Sequence, residues 1–370
     1  MKYQGEPEYQ HGSPERVGIL LLNLGTPDAA DTPSLRRYLK QFLSDPRVIE
    51  LPKWKWWPIL NLIILNTRPK RSAEAYREVW DSEGPGAPLL NIGRRQAAGI
   101  EERLKERFAG PVSVALGMRY GNPSVAHALA ELRDAGARRV LVLPLYPQYS
   151  ASTTASTFDA VVDELKTWRW IPELRFINQY YRYPGYITAL ANSIEEHFAE
   201  HGKPDKLILS YHGVPKRYLL DGDPYHCTCH VTTRLLADRL GLAEGEYMTT
   251  FQSRFGPEEW LKPYTDETLK SLPGQGIKHV AVACPGFSAD CLETIEEIDG
   301  ENREYFEEAG GETYHYIKAL NDRPDHLDAL SDLVVRHAQG WSELDDWDEA
   351  ADREERETVR RNALAMGSPR

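Results

Sequence analysis

The sequence predicts an α/β protein made of two domains of similar design, each built around a parallel sheet. Apolar, strand-like runs alternate with helical segments along the chain, which is the pattern of parallel α/β folds. The second half also echoes the first: VGILLLNLGTP resembles DKLILSYHGVP, and ARRVLVLPLYP resembles IKHVAVACPGF. At 370 residues the chain is long enough to form two domains, each with its own core.

The composition divides the chain into four parts. We expect a loose N-terminal arm at 1–15, one domain at 16–180, a second at 181–335, and a charged helix or tail at 340–370. The arm is polar and lacks the apolar stretch of a signal peptide, so we expect a cytoplasmic protein. Hydrophobic content of 41% and charged content of 27% are typical of soluble globular proteins. A net charge of −12 argues against nucleic-acid binding.

The first domain begins with a strand, a glycine turn and a helix. The apolar run from Val17 to Leu22 is typical of a buried parallel strand. Asp31 or Thr32 is expected to cap the helix that follows, with Pro33 at its first position. Because the turn lacks both GxGxxG and the GK[ST] of a P-loop, the sequence does not favour nucleotide binding. Further helices are expected at 89–108 and 124–135.

The segment Trp54–Leu65 is unusual because tryptophans and aliphatic residues follow one another closely between basic residues. Two interpretations stay open. It is either an amphipathic core helix with half-buried tryptophans, or an apolar lip that contacts a flat ligand or a membrane surface. The apolar stretch is too short to span a bilayer, so any membrane contact would be peripheral, at the inner membrane surface.

A histidine and a row of carboxylates follow two strands of the second domain. His212 ends the run KLILSYH, and Glu293, Glu297 and Glu301 recur every four residues after the run VAVAC, with Asp290 just before them. Residues four apart share one helix face. The row is either a solvated face or a path for protons and metal ions that leads to His212, because buried like charges must share protons or bind cations.

Several motifs occur together in an order that identifies a family resemblance. These are LNLGTP, RYGNPS, YPQYSASTT, SYHGVP, FQSRFGPEEWLKPYTDE and DCLETIEEI, within about residues 16–320. Together they resemble the ferrochelatases, lyases of haem biosynthesis that insert ferrous iron into a porphyrin. The resemblance implies two similar Rossmann-like domains with parallel sheets, a chelatase-like fold with an active-site cleft between the domains.

The resemblance also implies roles for individual residues. His212 matches the family's active-site histidine, Glu293 its metal- and proton-handling glutamate, and Glu297 the next carboxylate of its acidic path. We expect His212 and Glu293 to be catalytic and to contact the metal, with Asp290 and Glu301 extending the path. The residues that match the family's porphyrin cleft, or that lie on its apolar lip, are Arg119, Tyr120, Tyr225, Trp260 and Leu60.

These residue types suit metal insertion independently of the family. A neutral imidazole accepts protons near pH 7 or binds a transition metal, and Fe²⁺ accepts imidazole and carboxylate ligands. We therefore expect porphyrin and Fe²⁺ as substrates and no organic cofactor. Two rival functions stay open: insertion of another metal, such as cobalt, into another tetrapyrrole, and a non-catalytic porphyrin or haem carrier. The sequence is equally compatible with a monomer and with a homodimer.

The four cysteines lie at Cys227, Cys229, Cys284 and Cys291. Four thiolates can hold a [2Fe–2S] cluster, and some ferrochelatases carry one. The family's better-known arrangement uses a cysteine at the position of Ala151 and three in a C-terminal extension, which this chain lacks. The sequence therefore leaves two alternatives: a different cluster site, or ordinary small buried residues.

Overall fold

The computed structural model describes residues 3–370, and within this range eight strands form two sheets. The strands are β1 Arg16–Thr26, β2 Val112–Gly121, β3 Ala137–Pro144, β4 Glu173–Phe176, β5 Lys206–His212, β6 Tyr247–Gln252, β7 His279–Ala283 and β8 Thr313–Ile317. The sheet orders are β2-β1-β3-β4 and β6-β5-β7-β8, with every pairing parallel. Both sheets thus share one topology, which confirms the predicted fold class.

Helices connect the strands and cover the sheets. They are α1 Thr32–Leu43, α2 Lys53–Pro58, α3 Leu65–Val79, α4 Pro88–Arg107, α5 Val125–Asp134, α6 Ser156–Leu165, α7 Pro184–His201, α8 Lys216–Leu220, α9 Tyr225–Leu240, α10 Thr265–Ser271, α11 Asn302–Glu308, α12 Pro324–His337, α13 Ser342–Asp345 and α14 Glu349–Ala365. The π-helical segments span Ile59–Ile64, Ala151–Ala155 and Glu293–Glu301. Asp31 caps α1 by accepting a hydrogen bond from the Ser34 amide at 2.7 Å.

One hydrophobic cluster joins the two sheets. Leu21 of β1 and Leu209 of β5 belong to it, together with Ile194 of α7 and Leu330 of α12. The opposite faces of the sheets have cores of their own, under α5 and α6 in the first domain and under α10 and α11 in the second. Helices α7 and α12 are therefore shared between the two domains, which fixes how the sheets face each other.

The C-terminal part of the chain returns to the first domain. Helix α12 packs against α4 as well as α7. Beyond it, Trp341 donates from its indole nitrogen to Glu173 at 2.7 Å, and Arg139 of β3 forms an ion pair with the buried Glu343. The segment at 340–370, expected as a helix or tail, forms α13 and α14.

The N-terminal arm is less loose than its sequence suggests. Gln4 exchanges backbone hydrogen bonds of 2.8 Å with the segment Thr167–Arg169, and Glu6 pairs with Arg138 through two hydrogen bonds of 2.7 and 2.9 Å. Tyr9 packs edge-on against Trp170, with ring centroids 5.3 Å apart. These contacts tie the described part of the arm to the first domain.

Candidate active site

The candidate site lies at the carboxyl ends of the strands in the second sheet. His212 is the last residue of β5, and the loop after β7 leads into the π-helix Glu293–Glu301, which we call the acidic π-helix. Strand β5 lies between β6 and β7. Because chain connections leave β5 and β7 toward opposite sides, a crevice forms beyond their ends, where open parallel sheets bind ligands.

The His212 imidazole is held in one orientation by its own backbone. Its Nδ1 atom lies 2.6 Å from the carbonyl oxygen of Gly213. A carbonyl oxygen only accepts, so Nδ1 carries the hydrogen and donates it. The lone pair is then on Nε2, which is free to accept a proton or bind a metal ion. A Cβ at Gly213 would lie 2.8 Å from the Gln252 carbonyl oxygen, so this turn requires glycine.

Glu297 links the acidic π-helix to the end of β6. The Ser253 amide donates to its Oε1 at 2.7 Å, and the Ser253 hydroxyl donates to its Oε2. Ser253 has φ of 65°, a left-handed conformation that is costly for serine and that tends to occur at functional sites. Burial raises the pKa of Glu297 and the Glu293 charge raises it further, whereas Ser253 and the nearby His212 oppose the rise. Glu297 is therefore within electrostatic range of both predicted catalytic residues.

The row of carboxylates predicted from the sequence is present, but on a π-helix instead of an α-helix. Its hydrogen bonds run from residue i+5 to i, as in the bond from the Asn302 amide to the Glu297 carbonyl. Glu301 lies at its end and lines an open cavity of about 390 Å³ together with Glu78, Glu296 and Glu304. Burial first, and then Glu301 and Glu78, raise the pKa of Glu296 to about 7.

Asp290, which we expected on the path, is instead fully engaged inside the domain. Its Oδ1 accepts from the Tyr316 hydroxyl at 2.6 Å and from Thr294 at 3.0 Å, and its Oδ2 accepts from the Asn321 side chain at 2.7 Å. The Ala319 amide adds a fourth bond. With 1% of its surface exposed and its oxygens occupied, Asp290 anchors the start of the acidic π-helix, and its place on a proton path stays a prediction.

Buried tyrosines from the first domain face Glu293, and sequence reasoning missed them. Burial raises the pKa values of Tyr38, Tyr76 and Tyr146, and the Glu293 carboxylate raises each of them further. These residues come from α1, α3 and the loop after β3. The Tyr146 hydroxyl is buried and has no hydrogen-bond partner among residues 3–370. Tyr146 lies in the motif YPQYS, which was the available signal, whereas Tyr38 and Tyr76 carry none.

Arg119 and Tyr120 form one buried polar network. The Tyr120 hydroxyl donates to Asp45 at 2.8 Å, and the Arg119 guanidinium pairs with the same carboxylate and donates to Ser156 at 2.7 Å. Burial alone would raise the pKa of Asp45, but bonds from Ser156, Arg47 and Tyr120 and the Arg119 charge outweigh it and lower that pKa. Asp45 engages the Nη2 atom of Arg119 and Ser156 its Nε atom, so this network fixes the orientation of the guanidinium, and the contact of Arg119 with a porphyrin stays a prediction.

Arg68 is a cation that approaches Glu293 from α3. Burial lowers the pKa of Arg68, and the Glu293 carboxylate opposes that change. Its guanidinium lies 5.6 Å from the ring centroid of Phe255. Among residues 3–370 it has no carboxylate within ion-pair distance, in contrast to Arg119. Arg68 is therefore available to bind a ligand carboxylate.

The other residues predicted to contact a porphyrin are buried around the crevice. Trp260 packs on the turn after His212, since a Cβ at Gly213 would lie 3.1 Å from its ring. Tyr225 begins α9, with its hydroxyl near Gly286 in the loop after β7. Leu60 belongs to the same hydrophobic cluster as the tyrosines at 38, 76 and 120. Trp260 and Tyr225 thus belong to the second domain and Leu60 to the first, and their contact with a porphyrin stays a prediction.

The cysteines are distributed over separate parts of the core. Cys229 lies in the cluster between the sheets, Cys284 in the outer core of the second domain, and Cys291 beside Leu89 and Ile92 of α4. Burial raises the pKa of each of these three thiols, which disfavours the thiolate that a metal cluster requires, while Cys227 is exposed. Across residues 3–370, the four thiols do not come together in a metal-binding group.

Two solved structures show the same fold at low sequence identity. SirB from Bacillus subtilis with Fe³⁺ has a TM-score of 0.50 and 13% identity, and the match covers 89% of this chain and 100% of that one. The sirohydrochlorin chelatase SirB from Bacillus subtilis subspecies spizizenii in complex with cobalt has a TM-score of 0.50 and 11% identity, covering 89% of this chain and 98% of that one. These likenesses concern the fold alone.

Sequence comparisons extend over nearly the whole chain. The protein from Hydrogenovibrio crunogenus named ferrochelatase is 63% identical over 358 residues, which is 96% of this chain and 95% of that protein. The protein of the same name from Thioalkalivibrio sulfidiphilus is 60% identical over 369 residues, covering 100% of both chains. The sequence model of the Ferrochelatase family matches residues 16–338. This chain therefore belongs to the ferrochelatase family.

Proposed function

We propose that this protein inserts Fe²⁺ into protoporphyrin IX, or a close porphyrin, and releases two protons to give haem. The observation that carries the proposal is the pairing of a histidine whose Nε2 lone pair is free with a carboxyl group, Glu297, whose pKa is raised beside it. A base and a proton-sharing acid in one crevice match what metal insertion requires. The match to the ferrochelatase family supports the same reaction.

The chemistry needs a base inside an apolar cleft. A free-base porphyrin holds two N–H protons at its centre, and both must leave when the metal enters. His212 accepts a proton at Nε2, and Glu293 contacts the incoming metal or receives the second proton. Glu297 and Glu296, whose pKa values are raised by burial and by neighbouring carboxylates, pass protons toward Glu301 and the open cavity.

The tyrosine side of the crevice suits a flat macrocycle. Tyr38, Tyr76 and Tyr146 surround Glu293 with aromatic side chains, and a planar apolar ligand requires a site lined in this way. The Tyr146 hydroxyl is buried without a partner among residues 3–370, and a polar group of a ligand bound beside Glu293 would satisfy it. Arg68 supplies the cation for a propionate group of the ring. Asp45, which pairs with Arg119, also accepts from the Tyr120 hydroxyl and so holds the Tyr120 ring in place.

The test is anaerobic mixing of the purified protein with protoporphyrin and Fe²⁺, followed by the loss of porphyrin fluorescence. We expect rapid loss with the native protein and none with His212→Ala or Glu293→Gln. His127→Ala and Glu308→Gln change an exposed histidine and an exposed glutamate far from the crevice and serve as matched controls. Porphyrin binding, measured without metal, should survive in all four variants.

Each rival function predicts a different result in this assay. A carrier would bind porphyrin tightly without inserting iron, and neither His212 nor Glu293 would affect that binding. A chelatase for another metal would react faster when Co²⁺ replaces Fe²⁺. Native-like rates in His212→Ala would rule out the proposed proton acceptor while leaving metal insertion itself intact.

We also propose that the segment Trp54–Leu65 contacts a membrane surface. Trp54 is 74% exposed, Trp57 63% and Leu62 68%, and Lys53 and Lys55 flank Trp54 on either side. Leu60 alone in the π-helix Ile59–Ile64 is buried and fastens the segment to the protein. Large apolar side chains beside lysines are typical of an interfacial helix. Among residues 3–370, no helix has the length and apolar composition needed to cross a bilayer.

Flotation with anionic phospholipid vesicles tests the membrane contact. Trp57→Ser and Leu62→Ser should each reduce the fraction of protein that floats with the vesicles. Trp170→Ser and Ile171→Ser are the matched controls, because these residues are also exposed but lie outside the segment. Equal flotation of all four variants would contradict the proposed contact.

A further inference from the structure

Four histidines gather at the end of the second sheet that is remote from His212. His197 and His201 lie on the last turns of α7, His315 on the edge strand β8, and His279 at the start of β7. The ring centroids of His197 and His201 are 4.5 Å apart, those of His201 and His315 4.7 Å, and those of His197 and His315 5.0 Å. His212 is the last residue of β5, whereas His279 is the first residue of β7, so the cluster lies toward the opposite end of the strands.

The first three rings can share one ion. One ring nitrogen from each of His197, His201 and His315 lies within 4.8 Å of the other two. His197 and His201 are four residues apart on a helix, so they share a face. A tetrahedral ion with Zn–N distances of about 2.0–2.1 Å requires nitrogens about 3.3 Å apart, so the exposed and half-buried rings would have to rotate toward one another by about 1 Å or more.

Two buried ring nitrogens in this cluster lack the partners that a purely structural role would give them. The Nε2 atoms of His197 and His279 are buried and have no hydrogen-bond partner among residues 3–370. Buried polar atoms are nearly always paired with protein, water or a ligand. The unpartnered Nε2 atom of His197 is therefore available to a metal ion.

We propose that His197, His201 and His315 form a binding site for one divalent transition-metal ion, with Zn²⁺ as the best-suited occupant. Three histidines leave the fourth tetrahedral position open to water. The site is separate from the iron that is the substrate, and it does not depend on the proposed function. A bound ion would tie the end of α7 to β8 and would stabilise the second domain by mass action.

Zinc binding to the full chain is the test, measured by equilibrium dialysis of metal-free protein against Zn²⁺. His201→Gln is the informative variant, because His201 is exposed at the end of its helix and the protein should fold without it. His226→Gln is the matched control, since His226 also has a histidine four residues on, His230, with ring centroids 4.5 Å apart. His212→Ala accounts for any Zn²⁺ in the active site.

We expect His201→Gln to lose one equivalent of bound Zn²⁺ and the rise in melting temperature that Zn²⁺ gives the native protein. Both should persist in His226→Gln and in His212→Ala, and iron insertion by His201→Gln should be unchanged. If His201→Gln binds as much Zn²⁺ as the native protein, the three rings are only a packed aromatic cluster and the proposal is wrong. Loss of all bound Zn²⁺ in His212→Ala would also overturn it, because the three histidines are intact in that variant.

Discussion

Replacing Glu296 with glutamine should make the protein more stable, and increasingly so as the pH rises above about 4.5. Glu296 lies on the acidic π-helix and lines the open cavity with Glu78 and Glu301. Burial and these neighbours raise its pKa from 4.5 to about 7. Between those values the folded protein holds a proton that the unfolded chain has lost, so the free energy of unfolding falls as the pH rises. Glutamine imitates the neutral carboxyl group at every pH.

The magnitude follows from the size of this change. A pKa rise from 4.5 to about 7 corresponds to about 3 kcal/mol for a fully buried group. Because Glu296 is only partly buried and faces solvent, screening should reduce this to about 1.5 kcal/mol. We therefore expect Glu296→Gln and the native protein to be equally stable near pH 4.5, and the variant to be about 1.5 kcal/mol more stable at pH 8.

Urea unfolding at several pH values between 4.5 and 8 measures this difference. A chelator keeps the carboxylates free of metal ions, and Glu308→Gln, an exposed glutamate on α11, is the control for removing one charge. The two curves should separate progressively as the pH rises. A difference that is constant with pH, or a variant that is less stable at pH 8, would refute the reasoning about Glu296.

Three further changes test single contacts. Gly25→Ala should lower the free energy of unfolding by about 3 kcal/mol, because Gly25 has φ of 107° and a Cβ would lie 1.8 Å from the Tyr120 carbonyl oxygen. Gly5→Ala is the control: a Cβ there would lie in open space, so the same urea assay should show no change. Asp290→Asn should lose about 3 kcal/mol, since an amide nitrogen would face N–H and O–H donors; an unchanged urea midpoint would contradict its anchoring role. Tyr146→Phe should keep full stability but raise the KM for porphyrin, which steady-state kinetics would show.

Much of the fold could be predicted because the positions of its strands and helices follow from patterns in neighbouring residues. The strand expected at Val17–Leu22 is the centre of β1, and the helix expected at 124–135 is α5 at Val125–Asp134. Apolar runs and a capping aspartate are local features, and the parallel sheet follows from their alternation. The two sheets have the same strand order, which confirms the similar design of the two halves that was predicted from two pairs of similar segments.

The parts that could not be predicted depend on contacts between distant residues. A spacing of four fits an α-helix as well as a π-helix, so the carboxylates pointed to a helix face without revealing the wider turn. Tyr38 and Tyr76 reach Glu293 from more than 200 residues away in the sequence. His315 joins His197 and His201 only because β8 is beside α7. The four hydrogen bonds that Asp290 accepts likewise could not be predicted, because most of their donors lie about 30 residues further along the chain.

The layer formed by α7 and α12 has a consequence for how a substrate enters. Both helices belong to the hydrophobic cluster that joins the sheets, and Gln96 of α4 donates to Ser288 and Asn321 of the second domain at 2.9 and 3.0 Å. Domains joined through a large apolar interface do not rotate freely against each other. A hinge motion between the halves is thus disfavoured, so a macrocycle would have to enter while the two sheets keep their relative positions.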